Sequence, residues 1–306
     1  DKPRQRLWRI RARKVILATG AIERPLVYLD NDRPGCMTAS AARTYLNRYG
    51  VMPGRRVVLM TNNDSAYRTA LDLAQAGITV PVLVDLRDAP RGALVDAVRA
   101  KAGEIVAGHA IVKVHGAHAV KEVEVARLSA DGKSVTGSTR RISCDCVATS
   151  GGWQPTVHLF SQTRSKVKWD DALLAFVPGD TIPGQNNVSI GGAHGVYDLA
   201  TCLSDGHEAG AAAAREAKLD GNAGLAHNAE AAGDEGPQRP LWIVPSEKPV
   251  GQGGKHFIDY QNDVTAADVM LAHREGYRSV EHMKRYTTMG MATDQGKTSN
   301  VNALAI

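Results

Sequence analysis

The sequence predicts an α/β chain of two nested Rossmann-like dinucleotide-binding domains followed by a small helical module, and three observations predict it. Val15-Ile-Leu-Ala-Thr-Gly-Ala-Ile-Glu-Arg-Pro25 recurs in altered form as Asp145-Cys-Val-Ala-Thr-Ser-Gly-Gly-Trp-Gln-Pro155, with Ala-Thr and the closing Pro in register. An apolar strand that ends in such small residues suits a place where backbone passes close to a dinucleotide, because a bulky side chain would collide with it. Between the copies a fresh strand, helix and strand open a βαβ unit. After the second copy, Asn187-Val-Ser-Ile-Gly-Gly-Ala-His-Gly195 reads as a buried strand ending in glycines, which returns the chain to an outer domain.

Each element follows in order. The basic residues Arg4, Arg6, Arg9, Arg11, Arg13 and Lys14 alternate along a presumed strand with one solvated face. Arg56–Met60 is an apolar strand, and Asp64–Gly77 carries Ala66, Ala70, Leu71, Leu73 and Ala74 at helical spacing, with Asn63 or Asp64 as cap and Gly77 as stop. Thr79–Asp85 is the second strand. An amphipathic stretch from Arg91 to Ala102 precedes three strand-like segments, Ile111–Val114, Val120–Leu128 and Arg140–Val147, with a turn at Asp131-Gly132: an antiparallel meander leading into the second Ala-Thr segment. Leu203–Ala217 is an Ala-rich helix able to approach the glycines near 191, while 218–240 lack apolar period and read as a solvated linker, which is taken to run on to 253. In the last part, Thr265-Ala-Ala-Asp268 is a capping box opening a helix to about Glu275, and Ser279 caps another through Arg285. The expected domains are therefore 1–45 with 183–217 as the outer dinucleotide domain, 46–182 as the inserted one, 218–253 as linker and 254–306 as the helical module. The outer domain is expected to be incomplete, because its Gly-rich loop should precede the Ala-Thr-Gly strand.

Composition bounds the function. With 306 residues, 43% hydrophobic and 23% charged, the chain can bury a core and has room for two or three domains. A net charge of +5 is modest, so nucleic acid is not an expected partner. The longest apolar runs fall far short of the roughly 20 residues of a membrane span. Cys36, Cys144, Cys146 and Cys202 have neither zinc nor CxxC spacing and read as reduced thiols of a cytoplasmic protein. The ten histidines show no ligand spacing, so no metal site is expected.

No residue pair has the look of a nucleophile and its base, so no catalytic residue is assigned. Ser204-Asp-Gly-His207 falls within one helical turn, which suits a helix start and not a triad. Gly290-Met-Ala-Thr-Asp-Gln-Gly-Lys-Thr298 lacks P-loop spacing and follows a helical pattern instead of a strand. In the inserted domain, Thr61-Asn-Asn-Asp-Ser-Ala66 puts Thr61 and Asn63 where a phosphate loop needs glycine, and Asp64 would repel phosphate. Asp85 stands where a ribose-binding acid would sit. A degenerate, structural domain is the expectation there.

Arg24-Pro25, Asn31-Asp-Arg-Pro-Gly35, Thr61–Tyr67 and above all Asp259–Thr265, Arg274–His282, Lys284–Thr288 and Thr293–Asn300 give the chain its resemblance. It resembles the alpha subunits of heterotetrameric sarcosine oxidase over nearly its whole length. The resemblance implies two domains of the pyridine nucleotide-disulfide oxidoreductase type. It also implies an enzyme that demethylates sarcosine to glycine, passes electrons from FAD to FMN to oxygen and delivers the one-carbon unit to tetrahydrofolate. NAD would be bound by the alpha subunit, FAD and FMN mainly by the beta subunit, with gamma and delta subunits completing the assembly. Carried over residue by residue, the NAD wall would be Thr19, Gly20, Gly192, Ala193, His194, Leu199 and Thr201. Thr287, Thr288, Thr293, Gln295, Lys297 and Thr298 would face the FMN. The family's amino-terminal Gly-rich loop and carboxy-terminal folate domain have no counterpart in these residues, so the chain reads as an internal part of a longer subunit. Asp259 and Gln261 stand where related amine dehydrogenases carry cluster-ligating cysteines, so no iron–sulfur cluster is expected. Two alternatives stand beside this reading: an alpha subunit of a related amine, opine or proline dehydrogenase, and a non-enzymatic assembly module.

Overall fold

A computed structural model describes residues 3–220, 229 and 236–306. Much of the expected 218–253 linker therefore lies outside the described residues. In chain order come β1 (Val15–Leu17), β2 (Ala21–Glu23), β3 (Cys36–Thr38), α1 (Ala39–Tyr49), β4 (Val57–Thr61), α2 (Ser65–Gln75), β5 (Val82–Asp85), α3 (Ala93–Lys101) and β6 (Glu104–Ala107). The meander β7 (His109–His115), β8 (Glu122–Leu128) and β9 (Val135–Ser143) follows, then β10 (Cys146–Ser150), β11 (Trp153–Pro155), α4 (His158–Gln162), β12 (Val167–Asp170), β13 (Ala175–Pro178) and β14 (Asn187–Ser189). A 3-10 turn (Gly191–His194), α5 (Leu199–Glu216), β15 (Phe257–Asp259), β16 (Val264–Thr265), α6 (Ala266–Arg274), α7 (Val280–Thr287) and α8 (Asn300–Ala305) complete it.

The chain divides into two compact units, one of residues 1–21, 155–170 and 176–232, the other of 22–154, 171–175 and 233–306. The second unit holds a five-stranded sheet in the order β3-β10-β4-β5-β6, parallel throughout. Its strands are apolar without alternation because both faces are covered, and every residue of β4 is buried. Val57, Leu59, Ala66, Leu73, Leu83, Val95 and Cys146 form the core toward α1, α2 and α3, while Val58, Met60, Val84, Ile111, Val123 and Cys144 form the core toward the meander. Cys144 and Cys146 face opposite layers; two positions apart on one strand they would share a face, and the interruption between β9 and β10 turns one of them over. A third cluster, built on Val27, Ile258, Val269, Met283 and Met289, organises the carboxy-terminal helices within the same unit.

The first unit is smaller. β1 and β14 run parallel, with Leu17 opposite Ser189. Asp198 starts α5 by accepting hydrogen bonds from the backbone N and the hydroxyl of Thr201, both at 2.8 Å.

Several expectations change. Residues 22–45, assigned to the outer domain, belong to the unit of the five-stranded sheet, because β3 pairs along β10 and α1 packs on the same layer. Residues 155–170 and 176–182, assigned to the inserted domain, fall in the other unit. Residues 254–306 share a unit with the large sheet. Arg140–Val147 is not one strand: Arg140–Ser143 end the meander and Cys146 opens a parallel strand, with the break at Cys144-Asp145. Asp145 makes that break by accepting from the backbone N of Arg55 and of Arg56, both at 2.9 Å. The basic segment before Lys14 forms no strand, having no ladder partner among the described residues. α5 begins four residues earlier than Leu203 because Asp198 caps it, which leaves Ser204–His207 inside the helix. β14 is half-buried, not buried. Among the described residues no helix is long and apolar enough to cross a membrane, and no group of three metal-ligating side chains is found.

Candidate functional site

The first candidate site lies at the carboxyl ends of β1 and β14, where ligands of parallel αβ folds bind. The register of the two strands sets Ala18–Gly20 beside Ile190–Gly192, and Ile190 N donates to Leu17 O at 3.1 Å. The approach is close: a Cβ on Gly192 would lie 3.2 Å from Ala21 N and 3.3 Å from Gly20 Cα. Gly20 (φ 71°) and Gly191 (φ 56°) also occupy left-handed conformations that side chains disfavour. On the far side Cys202 of α5 meets Gly191, where an added Cβ would be 3.4 Å from Sγ.

All seven residues assigned to the dinucleotide wall belong to this unit. Ala193 is buried, while His194, Leu199 and Thr201 are exposed. Thr19 donates its hydroxyl to Thr156 O at 2.9 Å, and Thr201 is held by Asp198. The seven supply small residues and an exposed rim that fit the passage of a nucleotide; they include no Lys or Arg to meet a pyrophosphate.

The corresponding crevice of the five-stranded sheet is filled by the protein's own side chains. Thr61, Asn62, Asn63 and Asp64, between β4 and α2, are all buried. Asn63 occupies the phosphate position with its amide: Oδ1 accepts from Ser65 N (3.0 Å) and Oγ (2.6 Å), and Nδ2 donates to Ser150 Oγ (3.0 Å) across to β10. Asp85 is fully buried, accepting from Tyr67 OH at 2.7 Å and from Arg87 N at 2.8 Å. Arg87 Nη2 reaches Asp85 at 2.8 Å and Asp64 at 2.6 Å. Burial opposes the Arg87 charge, and the hydrogen bonds and charges of Asp85 and Asp64 outweigh it, holding the guanidinium above its ordinary value. Burial, then Asp85, pushes the Tyr67 hydroxyl up. The acid expected at the ribose position is therefore committed to Arg87 and Tyr67. Sequence reasoning missed both partners; the signal was a basic residue two positions beyond the acid.

Two of the six residues expected to face a flavin mononucleotide line described cavities. Thr298 lines a cavity of about 200 Å³ with Tyr28, Cys36, Thr38, Thr149 and Tyr260. Thr287 borders a more open one with Asp263, Asp268 and Tyr286. Most of their polar groups are spent on the local turn. Thr287 donates to Met283 O (2.9 Å), Thr288 to Thr287 O (2.6 Å) and Lys297 to Asp294 O (3.0 Å). Thr298 donates to Asp294 (2.7 Å), Gln295 to Ala292 O (2.8 Å) and Thr293 to Gln261 (3.0 Å). Asp259 ties this turn down by accepting from Gly290 N at 2.7 Å. Burial pushes the Cys36 thiol up to about 11 and those of Cys144 and Cys146 to about 12, so none is a ready nucleophile.

Residues 253–306 match the sarcosine oxidase A3 domain family. Over 99% of its length the chain is 41% identical to the alpha subunit of sarcosine oxidase from Corynebacterium sp. strain P-1 and 42% identical to that from Rhizobium meliloti strain 1021, spanning 31% and 29% of those proteins. L-Proline dehydrogenase from P. horikoshii superposes on 96% of the chain and 53% of its own, with a TM-score of 0.62 at 18% identity, a likeness of fold.

Proposed function

The chain belongs to the sarcosine oxidase alpha-subunit family, and from that premise we propose that it is part of an alpha subunit of an enzyme oxidising sarcosine. The N-methyl amine would lose two electrons and two protons to become an imine, glycine would be released, and the one-carbon unit would pass to tetrahydrofolate while oxygen is reduced to hydrogen peroxide. Bound flavins would supply the electron transfer, and the folate acceptor would bind outside these residues. What this chain contributes is positioning. Thr19, Gly20, Gly192, Ala193, His194, Leu199 and Thr201 would hold NAD at the ends of β1 and β14, in the outer dinucleotide domain. The turn from Thr287 to Thr298 would present its backbone and Thr298 toward FMN on a beta subunit, with gamma and delta subunits completing a cytoplasmic assembly. The four free cysteines fit such a reducing compartment.

The observation that carries the reading is the alignment along 99% of the chain together with the match of its last 54 residues, 253–306. The test is reconstitution of the full subunit with its partners: stoichiometric peroxide from sarcosine is expected, and none from sarcosine but turnover with another secondary amine, an opine or proline would move the protein to a sister enzyme. The self-filled crevice at Asp64, Asp85 and Arg87 favours a second reading, a non-enzymatic assembly module. Extraction of the native subunit separates them, because one NAD per chain is incompatible with a module that has lost every nucleotide site.

A further inference from the structure

Across the meander, Lys113 on β7 stands opposite Glu124 on β8, and Glu124 opposite Arg141 on β9, one cross-strand row on one face. Residues 246–253 wall the other side, enclosing a cavity of about 380 Å³ that Lys248 also lines. That volume lies within the ordinary range for small-molecule pockets.

The charges in this cavity are uneven. Glu124 is shared by the His115 ring, with Nε2 at 3.0 Å, and the Arg141 guanidinium, with Nη2 at 2.8 Å; Arg141 also reaches Glu122 at 3.3 Å. Neither Lys113 nor Lys248 makes an ion pair among the described residues, although both line the same space. Glu247, the remaining carboxylate, is exposed. Lys113 is half-buried on its strand and Lys248 is exposed at the rim, so the two ammoniums bring like charge to one cavity, which an anion between them would offset. Thr139 and Gln252 add neutral polar groups around them, while the Ser246 hydroxyl donates to Lys248 O at 2.7 Å.

We propose that this pocket binds a small polyvalent anion carrying phosphate or carboxylate groups, with Lys113 and Lys248 as its counter-charges and Glu124 fixing Arg141 and His115 as the polar floor. None of its lining residues belongs to the Asp64–Arg87 cluster or to the carboxy-terminal turn. Lysine ammoniums suit it, being point charges that accept either oxyanion without a fixed fork geometry.

The test is calorimetric titration of the protein, purified in its native assembly, with pyrophosphate and with citrate at low and at moderate salt. Lys113→Ala/Lys248→Ala is compared with Lys101→Ala/Lys133→Ala, which removes equal charge outside the pocket, and thermal melting confirms that both variants fold. The expected result is saturable binding of at least one anion, weakened at least tenfold in the first variant and less than twofold in the second; which anion binds more tightly identifies the source chemistry. Absence of binding by both anions, or equal weakening in the two variants, overturns the proposal.

Discussion

At the scale of single residues, the most consequential side chain is Arg87. It bridges two buried carboxylates, and removal of one partner from a buried ion pair leaves an uncompensated charge. Arg87→Ala should therefore cost about 3–5 kcal/mol in denaturant unfolding; a loss below about 1 kcal/mol would mean that Asp64 and Asp85 are stabilised by something else. Gly192 carries a different constraint. Its missing Cβ would press on Ala21 N and Gly20 Cα, so Gly192→Ala should destabilise by about 1–3 kcal/mol through overpacking. It should also lower the NAD content of the purified subunit, and an unchanged content at full occupancy would place the nucleotide elsewhere. The sequence made part of this legible. Thr61, Asn63 and Asp64 announced that the second phosphate loop could not work, and Gly20 and Gly192 announced a close approach. Arg87 was opaque because its partners come from the start of α2 and the end of β5, and only folding converts an acid at a ribose position into the centre of an ion cluster.

At the scale of elements, periodicity and caps were read directly where they were local. The Thr265/Asp268 capping box is formed reciprocally, with Thr265 N donating to Asp268 at 2.8 Å and Asp268 N to the Thr265 hydroxyl at 3.4 Å. Thr265→Ala should cost about 1 kcal/mol of stability in the unit that holds α6, and Thr265→Ser should retain most of it; equal losses in both would point to packing of the methyl group. α2 and the meander were equally readable, because their apolar spacing is decided within ten residues. β3 was not. A three-residue strand has no pattern to detect, and Cys36–Thr38 becomes one only by pairing with Val147–Thr149. That missed pairing moved the domain boundary, since it draws residues 22–45 into the large sheet.

At the scale of the whole chain, two buried titratable groups predict opposing responses to pH. Glu23 is buried at the start of α1, where burial raises its carboxyl and hydrogen bonds from Ser40, Ser150 and Thr38 oppose the rise. Its folded form holds a proton that the unfolded form has released, so its contribution is complete below the ordinary carboxylate value of 4.5 and is lost as pH rises through the folded value. His256 is 1% exposed with neither ring nitrogen hydrogen-bonded among the described residues, and burial lowers its value while Asp30 opposes. The unfolded chain binds the proton first, so stability drains away as pH falls below 6.5. Denaturation at a series of pH values should show that Glu23→Gln removes the decline on the alkaline side of this window and His256→Leu the decline on the acid side. Parallel curves for wild type and both variants would assign the pH dependence to other groups.

The strand order β3-β10-β4-β5-β6 has a consequence for how the protein is made. β10 is an inner strand of the large sheet, yet the chain reaches it only after the βαβ unit and the entire meander have been synthesised. Until then β4 exposes an unpaired ladder along its whole length, apolar from Val57 to Met60, and β3 has nothing to dock on. Such an edge is a template for the wrong partner, and parallel closure over so long a separation is slow. A nascent chain stalled before Cys146 is therefore the species a chaperone would have to shelter, and the insertion of one five-residue strand is the event that commits the sheet to its final form.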